Sequence, residues 1–188
     1  MAELIKDSGQ KIISDTLNKW GEKRKIFEKN INCTYSEEYK NLDSSLKKIT
    51  SFIKKIKFFS EINFDLLMKE VKLLNLNRYI SEIVSAILEL KFKISNIGLL
   101  IKFISKIHRR YKKFSLQYFE ALRKKLFAFS YEETEKELDR RNLKLFIKLY
   151  CDSIFYGLTT DTDIEIVYVV KFWKNLLQND EENVYKFN

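Results

Sequence analysis

Runs of cations are the residues of this chain best suited to chemistry. Lys47, Lys48, Lys54, Lys55 and Lys57 fall in one stretch; Arg109, Arg110, Lys112 and Lys113 follow the single histidine, His108; Arg123, Lys124 and Lys125 form a third run. Lysine meets a phosphate or carboxylate as a point charge, whereas arginine offers a planar fork that matches two acceptor oxygens. Tyr111, Phe114 and Tyr118 lie among the second and third runs, where exposed rings would stack on unpaired bases. The alternative is that the rings fill a core and the cations are merely solvated. That reading is preferred for Phe114, Tyr118 and the lysines, while the arginine pair divides evenly. The candidate contacts for RNA or an acidic partner are Lys47, Lys54, Lys55, Arg109, Arg110, Lys112, Lys113, Arg123 and Lys124.

Catalytic and metal-binding constellations are not evident. His108 stands before two arginines at a helix end, where a lone histidine is more often a dipole-favoured terminal residue than a base. Cys33 and Cys151 are far apart and lack the spacing of a zinc site, which fits reduced thiols of the cytosol. Glu132, Glu133, Glu135 and Glu137, close to Arg140 and Arg141, read as the solvated start of a helix. There is no nucleophile elbow, phosphate-cradling glycine loop or zincin signature. The reading is a non-enzyme with no cofactor, no metal and no small-molecule substrate.

The net charge is +9, and it is regional. Lys40 to Lys125 holds 20 Lys plus Arg against 7 Asp plus Glu; the remainder holds 15 against 19. A field of that kind attracts polyanions. No stretch is long and apolar enough to span a bilayer, and Ile94 to Ile107 is broken by Lys102 and Lys106. The first residues lack the pattern of a secretory signal, so the expected location is cytoplasmic, the perinuclear region included.

The elements that must position these groups read as helices. The chain has 188 residues, no proline and four glycines, so little interrupts a helix. Residues 1–41 form a charge-rich helix and connector, with Leu17, Trp20 and Ile26 on its apolar face, packed on the first repeat. Leu42 to Lys57 carries Leu42, Leu46, Ile49, Ile53 and Ile56 at steps of four and three, one stripe of a basic amphipathic helix, with Asp43, Ser44 and Ser45 as caps. Phe64 to Leu74 follows as a short helix. Asn77 caps a helix burying Ile80, Ile83, Val84, Ile87 and Leu88; Ser95 caps one burying Ile97, Leu100, Ile101, Ile104 and Ile107.

Ser115 to Phe127 turns Leu116, Phe119, Leu122 and Leu126 inward. Ser130 with Glu133, and Thr162 with Glu165, have the capping-box spacing. The helices they would open bury Leu143, Phe146, Ile147, Tyr150, Cys151 and Ile154, and then Ile166, Val170, Trp173 and Leu177. The repeat region spans 42–177, and 178–188 reads as a frayed polar tail. Helix, turn, helix, about four times over, is the grammar of a solenoid in which no pair buries its own apolar face.

Leu42 to Lys57, Leu74-Asn75-Leu76-Asn77-Arg78-Tyr79-Ile80-Ser81-Glu82, Glu89-Leu90-Lys91-Phe92-Lys93 and His108-Arg109-Arg110-Tyr111 together resemble the middle-domain family of translation initiation factor four-gamma. Within that family they are most similar to the first of the middle domains of a nonsense-mediated mRNA decay scaffold. Ile49 and Ser153 depart from the family pattern, which often has a polar residue and a glycine there. The resemblance implies an all-α, HEAT-like stack of antiparallel helical hairpins, monomeric as an isolated domain. It implies a non-enzymatic scaffold whose partners are other nonsense-mediated decay factors. Direct RNA binding through the basic face is the alternative. A translation-initiation or cap-binding scaffold is weaker still, because the Leu42 to Lys57 block points away from it.

Overall fold

The computed structural model describes residues 2–35, 40–131, 137–159 and 161–186, with side chains described for 14–35, 40–129, 140–159 and 161–177. The described residues form eight α-helices: α1 Ala2–Ile31, α2 Leu46–Ile56, α3 Glu61–Leu73, α4 Ile80–Leu88, α5 Ile97–His108, α6 Lys112–Tyr131, α7 Glu137–Phe155 and α8 Thr162–Lys186. Helices α2, α4 and α6 pack side by side in one row, and α3, α5 and α7 in a second. Helix α8 continues the first row, reaching α6 through Arg123. The stack is all-α, as the helical periodicity predicts, and HEAT-like, as the family resemblance implies.

The core lies between the rows. Ile49, Phe52, Ile56, Leu67, Val71, Ile83, Leu100, Ile104 and Leu122 are all fully buried. The apolar faces read for α4 and α5 are buried as expected. Ile49, where the family often has a polar residue, is part of this core. Ser153, in place of a glycine, uses its hydroxyl: it donates to the Leu149 carbonyl at 2.7 Å and pairs with the Tyr118 hydroxyl at 3.0 Å.

Several local expectations are corrected. Helix α2 begins at Leu46, because Asp43 is pulled into a two-stranded bridge with the end of α3. Its amide donates to the Leu73 carbonyl at 3.1 Å, and its carbonyl accepts from the Asn75 amide at 2.9 Å. Leu46 is therefore exposed, and Phe52 takes its place in the buried stripe. Helix α3 starts three residues early, at Glu61, where Asn63 Oδ1 accepts from the Ser60 amide at 2.8 Å. Asn77 and Ser95 sit in one-turn 3-10 segments, not at caps. Ser130 lies inside α6; Glu133 falls outside the described residues, as do Glu132 and Glu135. Leu116 faces solvent.

Helix α1 packs on α5 and the end of α7, not on the first repeat. Asn30 sets that position, donating to Ser105 Oγ at 3.0 Å and to the Tyr156 carbonyl at 2.7 Å. Gly157 lies beneath α1 with φ of 66°, and a Cβ there would stand 2.8 Å from Ile31 Cγ2. Leu17 and Trp20 point outward.

Helix α8 holds the largest correction. Its cap is Asp161, whose Oδ1 accepts from the Ile164 amide at 3.1 Å, and the helix runs on to Lys186. Ile166, Val170, Trp173 and Leu177, read as its core face, are 48%, 62%, 46% and 62% exposed. The inward face is instead Glu165, Tyr168, Val169, Phe172 and Leu176. Glu165 explains the rotation. Its carboxylate accepts from Arg123 at 2.6 Å and from the buried Tyr150 hydroxyl. A step of one residue turns a helix by about 100°, so drawing Glu165 inward swings Ile166 and its row outward.

Candidate interface for an anionic partner

The corner between α5 and α6 is built from the end of α5 forward. Tyr111 is buried there and donates its hydroxyl to the Leu74 carbonyl at 3.1 Å, while accepting from the Leu76 amide at 3.0 Å. That bridge ties the α5–α6 corner to the α3–α4 corner. Arg110 Nη1 donates to the Val71 carbonyl at 2.9 Å. Val71 lies in the last turn of α3, where carbonyls lack a helical partner, so the guanidinium satisfies an orphan acceptor. This places Arg110 beside Lys72.

Lys106 lies in the last turn of α5, Arg109 caps that helix, and Arg110 follows in the turn beyond it. Burial, and then the like charges of Arg109, Lys72 and Arg110, hold the Lys106 ammonium below its ordinary value. Burial likewise lowers Arg109. Lys72 and Lys106 occupy the last turns of α3 and α5, where the negative ends of the helix dipoles favour cations. Lys112 and Lys113 open α6 and are exposed. Among the described residues, none of Lys72, Lys106, Arg109, Arg110, Lys112 and Lys113 has an ion-pair partner.

The other two cation runs are largely neutralised. On α2, Lys48 pairs with Asp43 at 2.5 Å, Lys55 with Glu70 at 2.5 Å, and Lys57, just past its end, with Glu89 at 2.8 Å. Lys47 and Lys54 remain exposed, Lys47 on the rim of a groove of about 780 Å³ between α2 and α3. On α6, Arg123 is held by Glu165, Lys124 pairs with Glu120 at 2.7 Å, and Lys125 sits over the rings of Phe129 and Phe146. Of the nine candidate residues, the structure brings together Arg109, Arg110, Lys112 and Lys113. Lys47 and Lys54 lie apart on α2, and Lys55, Arg123 and Lys124 are engaged by carboxylates. Lys106 could have been found from its spacing to Arg110; Lys72 joins only through tertiary packing.

The aromatic residues of this region do not offer a stacking platform. Tyr111, Phe114 and Tyr118 are 1%, 1% and 0% exposed. His108 is buried as well, correcting its reading as a dipole-favoured terminus. Its Nδ1 pairs with Ser115 Oγ at 3.0 Å and its Nε2 faces the Asn30 carbonyl at 3.4 Å. Burial, the largest influence, lowers its pKa from the ordinary value. It is a neutral rivet between α1, α5 and α6. Among the described residues no group of three His, Cys, Asp or Glu side chains could hold a metal, and no helix is long and apolar enough to cross a membrane.

No family model matches the chain. Curated relatives do. The human regulator of nonsense transcripts 2 is 32% identical over 146 residues, covering 77% of this chain and 11% of the relative. The Arabidopsis thaliana regulator of nonsense transcripts UPF2 is 36% identical over 134 residues, covering 68% of this chain and 11% of the relative. The chain thus spans about a tenth of their length. The crystal structure of the first MIF4G domain of human nonsense mediated decay factor UPF2 superposes with a TM-score of 0.81 at 28% identity, over 93% of this chain and 56% of that one. Sequence relatives and solved structure agree, and the chain belongs with the first MIF4G domains of regulator of nonsense transcripts 2.

Proposed function

We propose that this domain is a non-catalytic docking module of the nonsense-mediated decay machinery, working in the cytoplasm. In this reading it assembles other decay factors, and the ridge formed by Lys72, Lys106, Arg109, Arg110, Lys112 and Lys113 receives an acidic protein segment. The names of its relatives, regulators of nonsense transcripts, support the pathway. The observation that carries the surface is the gathering of these cations without carboxylate partners among the described residues, while the runs Lys47 to Lys57 and Arg123 to Lys125 are mostly paired. Like charges held together on a rigid corner lower their mutual repulsion when an anion arrives. An acidic protein segment fits better than single-stranded RNA, because RNA-binding surfaces add exposed rings for the bases and the rings here are buried.

Fluorescence anisotropy with a labelled Glu-rich peptide and a labelled oligouridine of equal length tests this. Binding of the peptide at low salt, weakened at roughly 0.2 M salt and lost in the Lys72→Glu/Arg109→Glu variant, supports the reading. Tighter binding of the oligouridine, or peptide binding unaffected by those substitutions, contradicts it.

A further inference from the structure

We infer that the centre of the ridge is a receptor for a phosphate monoester dianion, so that the docking partner is a phosphorylated protein segment. The inference rests on the docking reading above and sharpens it to a chemical class. Lys106 lies in the last turn of α5, Arg109 and Arg110 directly follow the end of that helix, and Lys72 comes from the last turn of α3. Arg110 is held in place by its bond to the Val71 carbonyl, so the cluster is assembled before any ligand arrives. Arg109 is half-buried, and its guanidinium has no ion-pair partner among the described residues.

Three cations gathered around Lys106 make a group of four, which exceeds what a single carboxylate can balance. A phosphoserine or phosphothreonine brings a charge of about −1.5 to −2 and three acceptor oxygens to one spot. Those oxygens suit the fork of Arg109 and the point charges of Lys72 and Lys106. A nucleic-acid backbone distributes single charges along a line, and beyond Lys112 and Lys113 the cations Lys55, Lys57, Arg123 and Lys124 that would continue such a line are occupied by Glu70, Glu89, Glu165 and Glu120. A compact cluster flanked by free cations only at Lys112 and Lys113, with the runs beyond mostly paired, matches a single dianion better than an extended strand.

The test uses the full 188-residue chain and three labelled peptides of one sequence carrying Ser, Glu or phosphoserine at the central position. The phosphoserine peptide is expected to bind about tenfold more tightly than the Glu peptide, the difference of a charge-assisted bidentate contact. That advantage disappears in the Lys72→Gln/Arg109→Gln variant, which keeps its circular dichroism spectrum, and inorganic phosphate competes. Equal binding of the Glu and phosphoserine peptides, with both weakened by the variant, overturns the phosphate assignment and leaves the docking reading standing. Failure of all three peptides at low salt overturns both. Displacement of the phosphoserine peptide by oligouridine at a lower concentration than by unlabelled phosphoserine peptide gives the site to RNA and overturns the assignment.

Discussion

Replacing Glu165 by Ala separates two accounts of one carboxylate by the size of the effect. A glutamate in the first turn of an exposed helix interacts with the dipole and contributes about 0.3–1 kcal/mol. The structure gives Glu165 a different role: it is 6% exposed, accepts from Arg123 at 2.6 Å and from Tyr150, and sets which face of α8 is buried. Hydrogen bonds to a charged group contribute about 1.5–3 kcal/mol each. Arg123 is 30% exposed, so water replaces part of what it loses, but the Tyr150 hydroxyl is left buried without an acceptor. Discounting the arginine side for solvent, the expected loss is about 3 kcal/mol. For a domain of this size that lowers Tm by roughly 6–12 °C. Thermal and urea unfolding followed by circular dichroism measure it. A double-mutant cycle with Arg123→Gln should show coupling above about 0.5 kcal/mol, as expected for directly contacting residues. A Tm within about 2 °C of the parent would correspond to an exposed dipole partner, and would refute the inward rotation of α8.

Other consequences follow from single residues. His108 is held below its ordinary value of 6.5 by burial, so below that pH the unfolded chain takes up a proton that the folded one resists. Stability is therefore complete above pH 6.5 and falls as the pH drops, and the His108→Gln variant should show a shallower decline of the urea midpoint over the same window. Gly157→Ala meets Ile31 Cγ2 at 2.8 Å at a positive φ, and should lower stability by about 2 kcal/mol in urea titrations. Val170→Lys, at a position read from sequence as core, should change stability by less than about 0.5 kcal/mol because Val170 is 62% exposed.

The interior of the stack was legible in the sequence where a helix has neighbours on several sides. Ile80 to Leu88 and Ile97 to Ile107 carry apolar residues at helical spacing, and no charged residue competes to be inside. The block His108-Arg109-Arg110-Tyr111 was legible as a resemblance but not as a mechanism. In the structure Tyr111 closes onto Leu74 and Leu76, and Arg110 onto Val71, so two of the resembling blocks are physically clamped together. Helix α8 was misread because its two apolar arcs are adjacent, and hydrophobicity alone does not choose between them. A buried Glu165 does, and that choice depends on Arg123 and Tyr150, forty-two and fifteen residues away. The site was half legible for the same reason. Arg109 and Arg110 stand out in a row, but the acids that silence Lys55 and Arg123 arrive from other helices, as does Lys72.

The measurement that bears most directly on the docking account is nuclear magnetic resonance titration of the labelled chain with the Glu-rich peptide. The account predicts shifts concentrated at Lys72, Lys106, Arg109, Arg110, Lys112 and Lys113, with Lys47 and Lys54 on α2 left unchanged. Shifts centred on Lys47 and Lys54, or spread evenly over every exposed lysine, would contradict it.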